Sequence, residues 1–219
     1  MSLFLLKSST RTALILLAFA LIGTALLAFV FNITRSAIER NEEQMKLELI
    51  GQTLPKDMFD NDLINDVVTL APDKLLGTES PTSAYRAKLK GQPSALVLEA
   101  IAPDGYSGKI KLLIAIRNDG EITGVRVISH KETPGLGDYI EIAKSNWIKI
   151  FDGKSLDNHK EKDWQVKKDG GKFDYMAGAT ITPRAVVRAT HKALEYYATH
   201  GTQIFAEPAK KQEPPHEPN

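Results

Sequence analysis

The chain has 219 residues and a formal net charge of +1, with 42% of its residues hydrophobic and 25% charged. That balance carries no basic excess, which argues against nucleic acid as a partner. Cysteine is absent, which excludes thiolate-held iron–sulfur clusters, c-type haem attachment, disulfides and thiol catalysis by this chain.

In chain order, the first element is an apolar run, Ala13–Phe31, which no charge interrupts and which Arg11 and Arg35 bracket. Roughly 20 apolar residues cross a hydrocarbon core, so the run predicts one transmembrane helix over 13–32, with a tail over 1–12. Its end in Phe29 and Phe31, with no small-residue cleavage site, predicts an uncleaved anchor. Lys7 and Arg11 precede the span, while Arg35, Arg40 and Lys46 follow it. The positive-inside rule therefore does not choose an orientation.

Residues 33–82 read as a stalk with connecting helices. Ser36–Leu54 is charged and helical in pattern, and Asn61–Leu70 places Leu63, Val67 and Leu70 at helical spacing. A strand-rich stretch follows. Ala84–Leu89 alternates, Ala95–Ile101 is mostly apolar up to Pro103-Asp104-Gly105, and Lys109–Arg117 is a further strand. Asn118-Asp119-Gly120 predicts a hairpin turn into Ile122–Ser129. Asp138 with Glu141 resembles a capping box and predicts a helix carrying Ile140, Ala143 and Trp147. Lys160–Lys168 reads as a solvated charged loop and Asp169-Gly170-Gly171 as a turn. The last helix has Thr182 as its expected N-cap and Pro183 in its first turn. Val187, Leu194 and Tyr197 form its apolar stripe, and Gly201 its expected stop. From 207 to 219 the chain is proline-rich and polar, which predicts a disordered tail. The mixed order of strands and helices predicts an α+β fold: one N-terminal membrane helix, then one mixed domain over 83–206.

Chemistry concentrates in Asp174–Thr182, DYMAGATIT. Gly178 and its alanine neighbours let backbone approach a bulky group. The helix start just beyond offers free N–H groups and a positive dipole end, both suited to a phosphate. A strand-to-helix turn with small residues chosen for packing has the same local pattern. Arg184, in the first helical turn, could pair with such a phosphate. The segment His130–Gly137, HKETPGLG, makes a rigid close-approach loop with polar groups at its edge; a tight turn leading into Asp138 is the plainer reading. His130, His191 and His200 read as ordinary structural or surface histidines, since His191 and His200 lie nine residues apart and do not share a helix face. Trp147 and Trp164 read as core. No metal site and no catalytic acid, base or nucleophile stands out.

Asp174-Tyr175-Met176-Ala177-Gly178-Ala179-Thr180 resembles the flavinylation motif D-x-x-(S/T)-G-A-T of the FMN-binding domain family, with Ala177 where Ser or Thr is usual. Together with the single anchor, the Gly105-Tyr106-Ser107-Gly108 turn, HKETPGLG and GATITPRAVV, it is similar to the G subunits of Rnf (Rsx) ion-translocating electron-transport complexes. The resemblance implies FMN joined through a phosphoester to Thr180 by a dedicated flavin transferase, beside Gly178, Ala179, Thr182 and Arg184. It implies that Glu132, Thr133, Gly135 and Leu136 line the slot for the isoalloxazine ring. It further implies an electron-carrying subunit that is not a catalyst on its own. Such a subunit works with the other subunits of a membrane complex that links ferredoxin and NAD chemistry to ion movement. The implied setting is the bacterial inner membrane with the domain in the periplasm. The C subunit of a sodium-pumping NADH:quinone oxidoreductase shares the flavinylated domain and is the nearest alternative; a non-redox anchored binding module is the other.

Overall fold

The computed structural model describes residues 2–208, with side chains at 9–35, 45, 46 and from 48 onward. The expected tail thus lies, from residue 209, outside the described residues. The chain divides into two compact units, 1–45 and 46–219.

The first unit is helical. A single helix, α1 (Ser2–Thr53), runs through it without a break. The window long and apolar enough to cross a membrane is Ser9–Arg35, 27 residues with a mean hydropathy of 2.8. At 1.5 Å per residue it is about 40 Å long, more than the ~30 Å hydrocarbon core requires. Within it, the hydroxyls of Thr24 and Thr34 bond back to the Ala20 and Val30 carbonyls at 2.8 and 2.9 Å. Those bonds leave neither hydroxyl unsatisfied in an apolar surrounding.

The second unit is built on a five-stranded antiparallel meander with spatial order β1-β2-β3-β4-β5. The strands are β1 (Val67–Leu70), β2 (Thr82–Leu89), β3 (Gln92–Gly105), β4 (Gly108–Arg117) and β5 (Ile122–Ser129). Alternation sorts each strand onto two faces. One face carries Leu96, Leu98 and Ala100 of β3, Ile110, Leu112 and Ile114 of β4, and Val125 of β5. The C-terminal helix α2 (Ile181–Ala206) covers that face through Ala185, Val186, Ala189, Ala193 and Leu194. The opposite face carries Tyr85, Ala87, Ala95, Val97, Leu113 and Ala115, and it is covered by Ile50 near the end of α1, Leu54 just beyond it, and Leu63. The sheet is therefore buried on both sides, and the domain is α+β as expected.

Four expectations are corrected. The helix predicted over Asn61–Leu70 is absent: Val67–Leu70 is an edge strand paired with Thr82–Tyr85. Val67, Val68 and Thr69 are β-branched, and pairing buries Val68 and Leu70 on one face and Val67 on the other. Residues 46–82 accordingly contribute to the folded unit rather than forming a stalk with connecting helices.

The helix predicted from Asp138 is replaced by two 3₁₀ turns, Asp138–Ile140 and Trp147–Phe151. The Asp138 carboxylate accepts the N–H of Gly135, on its N-terminal side, at 2.8 Å, while Glu141 turns to His130 and makes no capping box. Ser145 then bonds the Tyr139 carbonyl and accepts the Trp147 N–H, holding the chain in turns. Gly201 does not stop α2, which continues to Ala206. A Cβ at Gly201 would stand 2.9 Å from the Tyr197 ring, so glycine serves packing there. Buried Arg86 on β2 donates to the carbonyls of Ile204 (3.1 Å) and Phe205 (3.3 Å) and to that of Glu207, which holds the last turn in place. Finally, the segment expected as a solvated loop over 160–168 contains buried Trp164 and Val166, and Val166 bridges Phe173.

Candidate functional site

At one end of the sheet, three segments converge: the β3–β4 turn, the loop after β5 and the start of α2. Their meeting point is a buried carboxylate. Glu132 is only 4% exposed. Its Oε1 accepts the Ser107 N–H at 3.0 Å, and its Oε2 accepts the Thr182 hydroxyl at 2.6 Å. Its own N–H donates to His130 Nδ1 at 2.9 Å, and His130 Nε2 meets Glu141. Because Nδ1 accepts, His130 is the tautomer that carries its proton on Nε2 and donates it to the Glu141 carboxylate.

Space for that carboxylate is made by two glycines. A Cβ at Gly105 would lie 2.8 Å from Glu132 Oε1, and one at Gly137 would lie 2.7 Å from Oε2 and 3.0 Å from the Thr182 hydroxyl. Neither contact is possible for a real side chain without displacement, so these glycines are required by close approach.

Above this pivot lies a cleft of about 190 Å³, walled by Tyr106, Glu132, Thr133, Leu136, Gly137, Gly178, Ala179, Thr180, Ile181 and Thr182. Its rim is apolar and open to solvent: Tyr106 is 68% exposed, Leu136 49% and Ile181 44%. The wall from 174 to 180 is pinned from below. Trp147 Nε1 donates to the Asp174 carbonyl at 2.8 Å, and the Tyr139 hydroxyl accepts the Met176 N–H at 3.2 Å. Burial pushes the Tyr139 phenol up to about 12, against the smaller opposing effect of the Met176 N–H. Gly178 takes φ +87° at the tip, which an L side chain would resist.

The start of α2 differs from expectation. Thr180, not Thr182, occupies the N-cap position, with helical φ −79° and ψ −26°, and its side chain makes no capping bond. Thr182 lies inside the first turn, and its hydroxyl is committed to Glu132. A buried bond to a carboxylate outweighs a neutral cap bond to backbone, which explains the swap. Thr180 is left half-buried on the cleft wall, its hydroxyl free among the described residues. The adjoining helix start keeps N–H groups without intrahelical acceptors.

Of the residues singled out in the sequence, Glu132, Thr133, Leu136, Gly178, Ala179, Thr180 and Thr182 line the cleft together. Gly135 does not line it; at φ +77° it shapes the loop. Arg184 is elsewhere as well, its Nε and Nη2 meeting Asp169 at 2.6 and 2.8 Å. The Asp169 pair holds the Arg184 guanidinium pKa above its ordinary value. Tyr106, Gly137 and Ile181 join the site without having been assigned roles. The Gly105–Gly108 turn and the glycine-rich HKETPGLG segment were the signals that could have found the first two. His191 stacks on Trp164 at 5.1 Å and His200 on Tyr196 at 4.4 Å, as structural histidines do. Among the described residues no group of three acidic or histidine side chains could hold a metal.

Comparison with known proteins agrees with this geometry. The FMN-binding domain family matches residues 105–195, which contain every residue of the cleft, and the RnfG N-terminal region matches residues 1–53. The chain is 50% identical over 201 residues to the G subunit of the ion-translocating oxidoreductase complex of Pseudomonas aeruginosa, covering 91% of this chain and 94% of that protein. It is 45% identical over 204 residues to the Vibrio cholerae protein of the same name (93% and 97%), and 46% over 198 residues to that of Shewanella baltica (90% and 93%). With identity and coverage at that level along the whole length, the chain belongs to the family of G subunits of ion-translocating oxidoreductase complexes, and its cleft lies within an FMN-binding domain.

Proposed function

We propose that this protein carries FMN covalently, as a phosphoester on the Thr180 hydroxyl, and relays electrons within a membrane-bound ion-translocating complex. The observation that carries the reading is Thr180 itself: a hydroxyl with no partner among the described residues, at a helix N-terminus, on the wall of an open apolar cleft. The residues present fit the group. The unpaired N–H groups and positive dipole end of α2 suit a phosphate, and Tyr106, Leu136 and Ile181 offer apolar surface to a flat ring. Thr133 supplies a polar group at the ring's edge. Bound FMN would supply reversible electron uptake and release, so the chain needs no acid, base or nucleophile of its own.

Glu132 works through others. By bonding Ser107 and Thr182 at once, it sets the distance between the β3–β4 turn and the start of α2, and thereby the width of the cleft. Tyr139 and Trp147 hold the 174–180 segment so that Thr180 faces that cleft. Arg184 stays on Asp169 unless the phosphate draws it away; the pair is exposed, so exchanging partners costs little.

The apolar window at Ser9–Arg35 is the anchor. A covalent tether is useful where free FMN is scarce and a dissociated cofactor would be lost, which supports a domain on the periplasmic side of the bacterial inner membrane. Maturation then requires a flavin transferase on that side, and the partners are the other subunits of the complex.

The test is in-gel flavin fluorescence of the denatured protein after coexpression with a flavin transferase and export. Wild type is expected to fluoresce and Thr180→Val to be dark. A dark wild-type band, or a bright Thr180→Val band, sinks the assignment.

A further inference from the structure

A second concavity, of about 510 Å³, opens between the Trp147–Phe151 turn and the Val166–Phe173 bridge, lined by none of the residues that line the FMN cleft. Its lining is cationic: Lys154, Lys167, Lys172 and His159 line it together with Phe173, and Asp174 is the one acid among them. Lys154 is half-buried and has no ion-pair partner among the described residues, although its main chain is fixed by the Ile122 N–H at 2.8 Å. Lys167 pairs with Asp174 at 2.5 Å, and Lys172 with Asp163 at 3.0 Å. Lys167 and Asp174 are both more than half exposed, so that pair exchanges at little cost, whereas the Asp163 side chain is only 12% exposed and keeps Lys172.

His159 is oriented by its neighbours. Asn158 Oδ1 accepts the Ser155 N–H at 2.9 Å, which identifies that atom as the amide oxygen. His159 Nδ1 lies 2.7 Å from the same oxygen and must therefore donate to it. The neutral ring leaves Nε2 as a bare lone pair. The ring is flanked by Trp164 at 5.9 Å and Phe173 at 6.0 Å. Burial, then Lys154 and Lys172, hold its pKa below the ordinary histidine value, while Asp163 acts weakly in the opposite sense. Ammonium groups held together around a neutral imidazole, with one of them lacking a counter-ion among the described residues, are a site short of an anion.

We infer that the pocket of Lys154, His159, Lys167 and Lys172 binds a phosphate monoester group. Lys154 and a protonated His159 carry two positive charges, which a dianion neutralises and one carboxylate does not, and Lys167 can turn from exposed Asp174 to add a further donor. Binding reverses the sign of the field at His159. The imidazole then takes up a proton at Nε2 and donates it to the bound oxygen, so uptake of phosphate and of one proton are linked. The phosphate can be that of a soluble monoester or of a phospholipid headgroup, because the same groups would meet either. This site shares no lining residue with the cleft, and its Asp174 lies at the other end of the segment that leads to Thr180.

The experiment uses the full chain, with ¹³C-labelled histidine, in zwitterionic lipid nanodiscs at fixed ionic strength. Titration with inorganic phosphate is expected to saturate and to raise the His159 pKa. Lys154→Gln should weaken phosphate about tenfold or more, the scale of one hydrogen bond to a charged group. His159→Gln should bind with the protein's linked proton uptake lost, leaving only the pH dependence of the phosphate's own second ionisation, and Thr180→Val should bind as wild type does. A second arm replaces phosphate in solution with phosphatidate in the disc. A His159 shift confined to that arm identifies a lipid headgroup as the source. A His159 titration curve unchanged in both arms, or equal affinity in wild type and Lys154→Gln, overturns the inference.

Discussion

Thr180 and Thr182 are separated by one residue, carry the same side chain and differ in everything that surrounds them. Thr182 is buried and spends its hydroxyl on Glu132 at 2.6 Å, whereas the Thr180 hydroxyl on the cleft wall has no partner among the described residues. Thr182→Val is therefore expected to keep flavin fluorescence while costing about 1.5–3 kcal/mol of stability, since a buried carboxylate loses a donor. Urea denaturation alongside the in-gel assay separates the two effects; a stable but dark Thr182→Val would move the attachment site. Gly137→Ala belongs to the same scale. Its new methyl would stand 2.7 Å from Glu132 Oε2, so it should lower stability by about 1–3 kcal/mol and widen the cleft. Tyr139 adds a pH signature. Its pKa is about 12 when folded and about 10 when unfolded. A raised pKa means that its contribution is complete below pH 10 and is lost as the pH rises towards 12. Stability to urea should fall over that window, and Tyr139→Phe should remove that fall.

At the scale of elements, the most informative contact joins β2 to the far end of α2. Arg86 is 2% exposed, bonds Asp66 through Nε at 2.6 Å and caps three carbonyls at the helix end. Burial raises the Asp66 pKa, but Lys88 and Arg86 outweigh it and bring the net value below the ordinary one. That contribution is present above about pH 4 and is lost as the pH falls through the lowered value. Arg86→Ala leaves Asp66 to Lys88 and uncaps the carbonyls at the end of α2, which should cost about 1–3 kcal/mol by chemical denaturation, with the turn after Gly201 fraying first in hydrogen exchange. The same contact explains why a glycine that reads as a stop is passed over: the carbonyls beyond it have donors waiting. The replacement of the predicted 138–147 helix has a similar cause. Ser145, Asp138 and Glu141 each have a specific alternative partner, and those partners divert the chain.

For the whole molecule, the domain's side of the membrane is the property to test. Alkaline phosphatase fused at the C-terminus is expected to be active, and a cytoplasm-dependent reporter at the same point silent; the reverse pattern would place the domain inside. The sequence by itself determined the long apolar N-terminal helix, strands β2 to β5, the Gly120 turn and the Gly178-Ala179-Thr180 turn before α2. Each of these depends on residues adjacent along the chain, through run length, alternation or turn chemistry. Tertiary structure alone decided that Val67–Leu70 is a strand, that α2 passes Gly201, and that Thr182 serves Glu132 while Thr180 has no partner among the described residues. Those outcomes depend on partners far away in sequence: Thr182 and Glu132 are 50 residues apart, and Arg86 and Ile204 are 118. Local pattern says which groups can bond or pack, and only the folded chain brings up the partner whose burial makes one choice lower in free energy than the other.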